Sequence, residues 1–199
     1  MTTFDHDWPS LATGVAIPHG LYDLKRNQGF VTLGTSHDTS EFACDSLRWW
    51  WQTYGRHDYP DATSLLLLCD GGGSNRSNTF LFKLDLARFA QETGLTVRVA
   101  HYPPYTSKYN PIEHRLFPHL TRACQGVICT SLELVQELMA KASTRTGLRV
   151  TVNILKKVYQ TGRQVAADVK EQIRLVRDEA LANWNYIILS SQPELGRVI

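Results

Sequence analysis

Leu65-Leu66-Leu67-Leu68-Cys69-Asp70 is the stretch of sequence that decides the fold. Its first five residues are apolar without alternation, which is typical of a strand buried on both faces in a sheet covered by helices. Asp70 follows at the predicted strand's carboxyl end and leads into Gly71-Gly72-Gly73. Ligands of α/β sheets bind at the carboxyl ends of strands, so this position favours a functional carboxylate. The alternative is that Asp70 only caps a turn, because Asp-Gly is a common turn pair.

Strand and helix patterns alternate on both sides of this stretch. Strand patterns occur at residues 20–24, 29–34, 96–100 and 148–152, and the first two form a hairpin. Helices are predicted after the caps Asp38 and Thr130. The apolar stripes of the predicted helices are Phe42, Ala43, Leu47, Trp50, Trp51 and Tyr54; Phe82, Leu86, Phe89 and Ala90; Leu134, Val135, Leu138 and Met139; and Val165, Val169, Ile173 and Val176. This alternation predicts an α/β layered fold, with the antiparallel hairpin on one side of the sheet.

The composition is that of an ordinary globular chain. Hydrophobic residues make up 43% of the 199 residues, charged residues 20%, and the net charge is +2. Such a charge permits a nucleic-acid partner without requiring one. No apolar run approaches the roughly 20 residues that span a bilayer, and the first ten residues lack a secretory pattern. We therefore expect a cytoplasmic protein without a membrane partner.

Glu113 is the second candidate for chemistry. The aromatic, proline-containing loop at residues 101–110 leads into a helix with Asn110 as its cap and Pro111 at its first position. Glu113 then lies at the third helical position, where it could close a capping box with Asn110. Alternatively, Glu113 and Asp70 converge and bind Mg²⁺ or Mn²⁺ through carboxylate oxygens. A zinc site made of His114, His119, Cys124 and Cys129 is disfavoured, since steps of five residues rotate around a helix.

Several motifs, in this order along the chain, are similar to those of one family. They are Gly20-Leu21-Tyr22-Asp23-Leu24, His37-Asp38-Thr39-Ser40-Glu41-Phe42-Ala43, Cys69-Asp70-Gly71-Gly72-Gly73-Ser74-Asn75, His101-Tyr102-Pro103-Pro104, Thr106-Ser107-Lys108-Tyr109-Asn110-Pro111-Ile112-Glu113-His114-Arg115-Leu116-Phe117 and Trp184-Asn185-Tyr186. Together they resemble the catalytic region of an ISAzo-type DDE transposase of bacterial insertion sequences.

The resemblance implies an RNase H-like mixed sheet flanked by helices. Asp70 would be the second catalytic Asp and Glu113 the catalytic Glu. In the family, three acidic residues bind two divalent ions, Mg²⁺ or Mn²⁺, for cleavage at the element's ends and joining of the 3′-OH to target DNA. DNA is thus the expected partner, together with further copies of the chain. Residues 1–145 would form the catalytic region and residues 146–199 a small C-terminal appendage of the same domain.

The chain departs from the family pattern in two places. The family's first catalytic Asp lies on a strand upstream of the segment that resembles residues 4–10, and no early acid of this chain takes its place. We therefore expect a truncated copy with little or no cleavage activity. Pro118 is the second departure, because it either kinks the helix that follows Glu113 or ends it early.

Two other functions remain open. In one, the chain is a non-catalytic DNA-binding or subunit-contact module, with Lys108, Tyr109 and Arg115 as DNA-binding residues. Lys25, Arg26 and Tyr105 could belong to the same surface. In the other, the chain is an unrelated metal-dependent hydrolase that uses Asp70 and Glu113 with His101 or His114.

Overall fold

The structure is a computed structural model, and it describes residues 14–103 and 105–190. The strands are β1 (Ile17–Asp23), β2 (Gln28–Gly34), β3 (Ser64–Cys69), β4 (Thr96–His101), β5 (Arg149–Ile154), β6 (Leu175–Arg177) and β7 (Asn185–Ile188). The α-helices are α1 (Ser40–Trp50), α2 (Arg56–Asp58), α3 (Phe80–Thr93), α4 (Pro111–Arg115), α5 (Phe117–Cys124), α6 (Leu132–Ala140) and α7 (Ala167–Gln172). A π-helical segment, Trp51–Gly55, continues α1.

The chain divides into two compact units, each made of two separate segments. The first unit contains residues 14–38 and 108–159, and the second contains residues 39–107 and 160–190. Each unit has a mixed sheet flanked by helices, which confirms the predicted α/β class. The expected catalytic boundary at residue 145 stays a prediction.

The first unit is built on a sheet with the strand order β1-β2-β5. The hairpin β1–β2 is antiparallel, as predicted, while β5 runs parallel to β2. Helix α6 packs on β5 and α5 packs on α6. The core residues of this unit are Val31, Leu33, Leu116, Leu120, Val135, Ala142, Leu148 and Val152.

The second unit is built on a sheet with the order β3-β4-β7-β6. Strands β3 and β4 are parallel, whereas β7 is antiparallel to both β4 and β6. Helix α3 packs on β4 and β7 and also contacts α1. The buried side chains of the second unit include Phe42, Leu47, Phe82, Leu84, Phe89, Val97, Val99, Tyr186 and Ile188.

The prediction that β3 is buried on both faces is wrong. Leu66 is 56% exposed and Leu68 is 38% exposed, and in the described part of the chain β3 pairs with β4 alone. The apolar run correctly predicts a strand, but a run without alternation cannot tell which faces and edges are covered.

Two helix caps lie one residue later than predicted. Thr39, not Asp38, accepts the Phe42 N–H at 3.2 Å, and Ser131, not Thr130, accepts the Leu134 N–H at 3.1 Å. In both places neighbouring residues carry side-chain oxygens that can cap a helix, so composition alone does not choose between them.

Two further helix predictions need correction. Trp50 and Trp51 both belong to the apolar stripe of the first predicted helix, but only Trp50 is buried and Trp51 is half-buried. The last apolar stripe does not form one helix, because α7 ends at Gln172 and Val176 lies in β6. Val176 instead pairs with Ile187 of β7, so sheet pairing overrides the helical spacing at this point.

Candidate active site

Asp70 lies where two parallel strands of the second unit end together. Cys69 of β3 is in register with His101 of β4, and the Tyr102 N–H donates to the Cys69 carbonyl at 2.8 Å. Asp70 is exposed, and its carboxylate has no hydrogen bond or ion pair with the residues that the structure describes. The turn-cap alternative is therefore not what the structure shows, and the carboxylate is available for a ligand.

His101 ties the loop after Asp70 to the end of β4. Its side chain is 5% exposed, with Nε2 2.8 Å from the Asn75 carbonyl and Nδ1 3.1 Å from the Trp184 carbonyl. Because both ring nitrogens face carbonyl oxygens inside the protein, His101 positions the glycine loop rather than offering a free nitrogen to substrate.

A cavity of about 600 Å³ opens beside Asp70. Its lining is Asp70, Gly71, Gly72, Arg76, Ser77, Asn78, Tyr102, Pro103, Tyr105 and Trp184. Trp184 reaches this place because β7 runs antiparallel to β4 with Asn185 opposite Ala100, so the residue before β7 lies at the carboxyl end of β4. The Trp184 carbonyl also accepts the His101 backbone N–H at 2.9 Å.

Arg76, Tyr102 and Trp184 are candidate site residues that the sequence did not single out individually. Tyr102 and Trp184 belong to motifs of the resemblance, which indicated the region but not their shared cavity. Arg76 follows the glycine loop, and no pattern marked it. Its exposed guanidinium forms no ion pair with the described residues.

Glu113 lies in the first unit, as the third residue of α4. The predicted capping box is absent: the Glu113 backbone N–H donates to the Asn110 carbonyl at 3.1 Å, and the Asn110 side chain caps no N–H. The Glu113 carboxylate is half-buried and makes no hydrogen bond or ion pair with described residues. Like the Asp70 carboxylate, it therefore has oxygens that no described residue binds and that could ligate a metal ion.

The helix that carries Glu113 is short, as the presence of Pro118 led us to expect. Helix α4 ends at Arg115, and Leu116 separates it from α5. Pro118 lies in the first turn of α5, where its missing N–H has no helical partner to lose. The break avoids the clash that a continuous helix would impose.

The three residues expected to bind DNA also lie in the first unit. Lys108, Tyr109 and Arg115 are all exposed, and Tyr109 retains 65% of its accessible surface. The Lys108 Nζ lies 5.1 Å from the centre of the Tyr109 ring. His114 Nε2 lies 2.6 Å from the Lys108 carbonyl and so fixes the backbone of this segment.

The donor chemistry of Asp70 and Glu113 fits a hard cation. Carboxylate oxygens that are free of other partners are the ligands that Mg²⁺ and Mn²⁺ prefer. Within the described ranges no three or more His, Cys, Asp or Glu side chains are gathered so that they could hold a metal ion. None of the helices in those ranges combines the length and apolarity needed to cross a membrane.

Comparison with known proteins identifies one family. The family model described as the Rhodopirellula transposase DDE domain matches residues 1–190. No curated protein and no solved structure matches the chain. The match covers nearly the whole chain and agrees with its mixed sheets flanked by helices, an arrangement consistent with an RNase H-like DDE domain. The chain therefore belongs to the Rhodopirellula transposase DDE domain family.

Proposed function

We propose that this chain is the catalytic region of a transposase that acts on the DNA ends of an insertion sequence. The observation that carries this proposal is the exposed Asp70 carboxylate, which has no partner among described residues and lies beside a cavity at the carboxyl ends of two parallel strands. In α/β sheets this is where ligands bind. The family match supports DNA as the substrate.

Asp70 and Glu113 are the proposed metal ligands. Each offers a carboxylate that the described protein does not use, as a site for Mg²⁺ or Mn²⁺ requires. When bound, such ions activate a water molecule and stabilise the leaving oxygen of a phosphodiester. The chain's own part is to present these oxygens, while His101 holds the loop after Asp70 in place.

We further propose that the chain alone cleaves DNA poorly, because the resemblance supplies two of the three acids. In the family, a site with two divalent ions uses three acids, and the resemblance assigns Asp70 and Glu113 to two of them.

Cleavage of end-sequence DNA by the full chain with Mg²⁺ or Mn²⁺ tests both proposals. We expect weak Mn²⁺ binding in calorimetry that Asp70→Asn removes, and no more than trace cleavage. Asp61→Asn is the matched control, since Asp61 is another exposed acid of the second unit. Robust cleavage that Asp70→Asn abolishes would refute the proposed inactivity but support the catalytic role, whereas unchanged Mn²⁺ binding by Asp70→Asn would refute the metal site.

A second function, that of a non-catalytic DNA-binding module that assembles with further copies of the chain, is favoured by the exposed group Lys108, Tyr109 and Arg115. Cations that replace counterions on phosphates make binding weaken steeply as salt increases. We expect Lys108→Ala and Arg115→Ala each to reduce affinity for duplex DNA and to lower the salt dependence. Binding that does not respond to salt would contradict this function.

A further inference from the structure

We propose that the cavity beside Asp70 holds a single unstacked nucleotide of the DNA, with its base against Trp184 and Tyr102 and its phosphate at Arg76. This inference rests on the proposed function, because it names the part of the DNA substrate that enters the site. The experiment below separates failure of the cavity assignment from failure of DNA binding.

The size of the cavity suits one nucleotide. Its volume of about 600 Å³ falls in the range of roughly 300–1,000 Å³ that is typical of small-ligand sites. A base pair in a duplex cannot enter such a cavity without leaving its stack, whereas a frayed or single-stranded nucleotide can. Enzymes that act on nucleotides commonly take them out of the stack in this way.

The aromatic side chains offer stacking surfaces. Tyr102 and Trp184 are only partly buried, so ring surface remains accessible in the cavity, and Tyr105 is fully exposed. Bases stack on aromatic side chains with little dependence on sequence, because every base has a π face. A site of this type accepts different end sequences.

The backbone at Trp184 is held in position before any ligand arrives. Its carbonyl accepts the His101 backbone N–H at 2.9 Å, and its own N–H donates to the Leu181 carbonyl at 2.8 Å. A segment whose backbone is already ordered loses less conformational freedom on binding, which favours affinity.

The charges in the cavity distinguish a nucleotide from an apolar ligand. Arg76 contributes an exposed guanidinium that forms no ion pair with the described residues, and Asp70 contributes a carboxylate. A guanidinium binds phosphate through paired hydrogen bonds. With the phosphate at Arg76, the backbone of the bound nucleotide would lie at the same cavity as the proposed metal ligand Asp70.

Fluorescence titration of the full chain with short DNA probes tests the assignment. The probes are a single-stranded oligonucleotide, a blunt duplex of the same length, and the single strand with its bases replaced by abasic residues. Stacking on Trp184 quenches indole emission, so we expect quenching by the single strand, less by the blunt duplex and none by the abasic strand.

Substitutions supply the second part of the test. We expect Trp184→Ala to weaken single-strand binding about 10-fold, the scale of one stacked base, and Trp184→Phe to restore most of the affinity. We expect Arg76→Ala to weaken it about 10-fold as well, through loss of charged hydrogen bonds to the phosphate. Arg98→Ala is the matched control, because Arg98 is also an exposed arginine of the second unit but does not line the cavity. Tyr102→Leu replaces Trp184→Ala in the comparison if circular dichroism shows that the latter is unfolded.

The outcomes are distinguishable. The assignment is overturned if single-stranded DNA binds in a salt-dependent way but Arg76→Ala equals Arg98→Ala and the aromatic substitutions have no effect. If none of the probes binds, both this inference and the proposed action on DNA fail. A 10-fold loss with Arg76→Ala and Trp184→Ala, alongside an unchanged Arg98→Ala, supports both.

Discussion

At the scale of single residues, two glycines of the hairpin set how closely the helices of the first unit approach its sheet. A Cβ at Gly29 would lie 2.4 Å from Leu116 Cδ1, and one at Gly20 would lie 2.6 Å from Phe117 Cε1. A side chain at either position would therefore force the Leu116 or the Phe117 side chain to move. This proximity is invisible in the sequence, where the same glycines look like ordinary ends of strands.

Gly29→Ala should lower the free energy of unfolding by about 1–3 kcal/mol, the usual cost of overpacking a core. Leu116 is fully buried, so its side chain has little room to move away from the new methyl group. Urea denaturation measures the change. Gly14→Ala is the control, because a Cβ there meets no atom of the described residues within 4 Å; equal effects of the two substitutions would contradict the packing argument.

His19 should make the protein less stable in mild acid. Burial lowers the pKa of His19 from its ordinary 6.5 to about 4, and the charge of Asp38 offsets this only partly. Between these two pH values the unfolded chain binds more protons than the folded one, so stability is complete above pH 6.5 and decreases as the pH falls toward 4. The difference between the two pKa values limits the loss in free energy of unfolding to about 3 kcal/mol. The partial exposure of His19 makes the expected loss smaller.

Urea denaturation between pH 7 and pH 4 checks this expectation. His19→Gln has no proton to bind in this range, so its stability should fall less with decreasing pH than that of the unmodified chain. His57→Gln is the control, because His57 is exposed. If His19→Gln and the unmodified chain show the same pH dependence, His19 does not contribute to it.

At the scale of elements, β3 shows how position in a sheet changes the meaning of a hydrophobic run. The alternate residues Ser64, Leu66 and Leu68 are exposed, while Leu65 and Leu67 are partly buried and Cys69 is buried. The strand is thus covered on one face only, although its sequence resembles that of a strand covered on both faces. The fully buried positions of the second unit are instead provided by α1, α3, β4 and β7.

Leu66→Ala and Leu84→Ala should therefore differ strongly in their effects on stability. Leu84 of α3 is fully buried, so its truncation leaves a cavity that costs about 2–5 kcal/mol. Leu66 is 56% exposed, and its truncation should cost less than about 1 kcal/mol. Chemical denaturation of both variants measures the difference. A loss for Leu66→Ala as large as that for Leu84→Ala would mean that β3 is covered in solution.

At the scale of the whole molecule, distant segments of the chain complete each unit. Strand β5 joins the first sheet beside β2, and β7 joins the second sheet beside β4. The Arg163 guanidinium donates to both carboxylate oxygens of Asp85, at 3.1 and 3.0 Å, and Asp85 also accepts from the Ser40 hydroxyl at 2.7 Å. The described residues after 159 thus contribute to the second unit's core and its buried polar network.

Deleting residues 160–199 should consequently unfold the second unit. The deletion removes β7 with the buried Tyr186 and Ile188, exposes one edge of β4, and leaves the carboxylate of Asp85, which is 4% exposed, without Arg163. A buried charge that loses its partner costs about 3–5 kcal/mol. Hydrogen exchange should show loss of protection in β4 and α3. Deletion of residues 191–199 alone keeps every described element and is the control; equal protection in the two deletions would refute this dependence.

The sequence by itself determined the α/β class, the hairpin, the strand before Asp70, the helix with the apolar stripe from Phe82 to Ala90, and the family. These follow from local periodicity, turn residues and ordered motifs, which act over a few neighbouring positions. Tertiary structure alone decided that β3 pairs with β4 alone among the described strands, that β5 and β7 complete separate sheets, and that Arg76, Tyr102 and Trp184 share a cavity with Asp70. The physical reason is that pairing between distant strands fixes which faces are covered and which strand ends meet, and no local pattern encodes that choice.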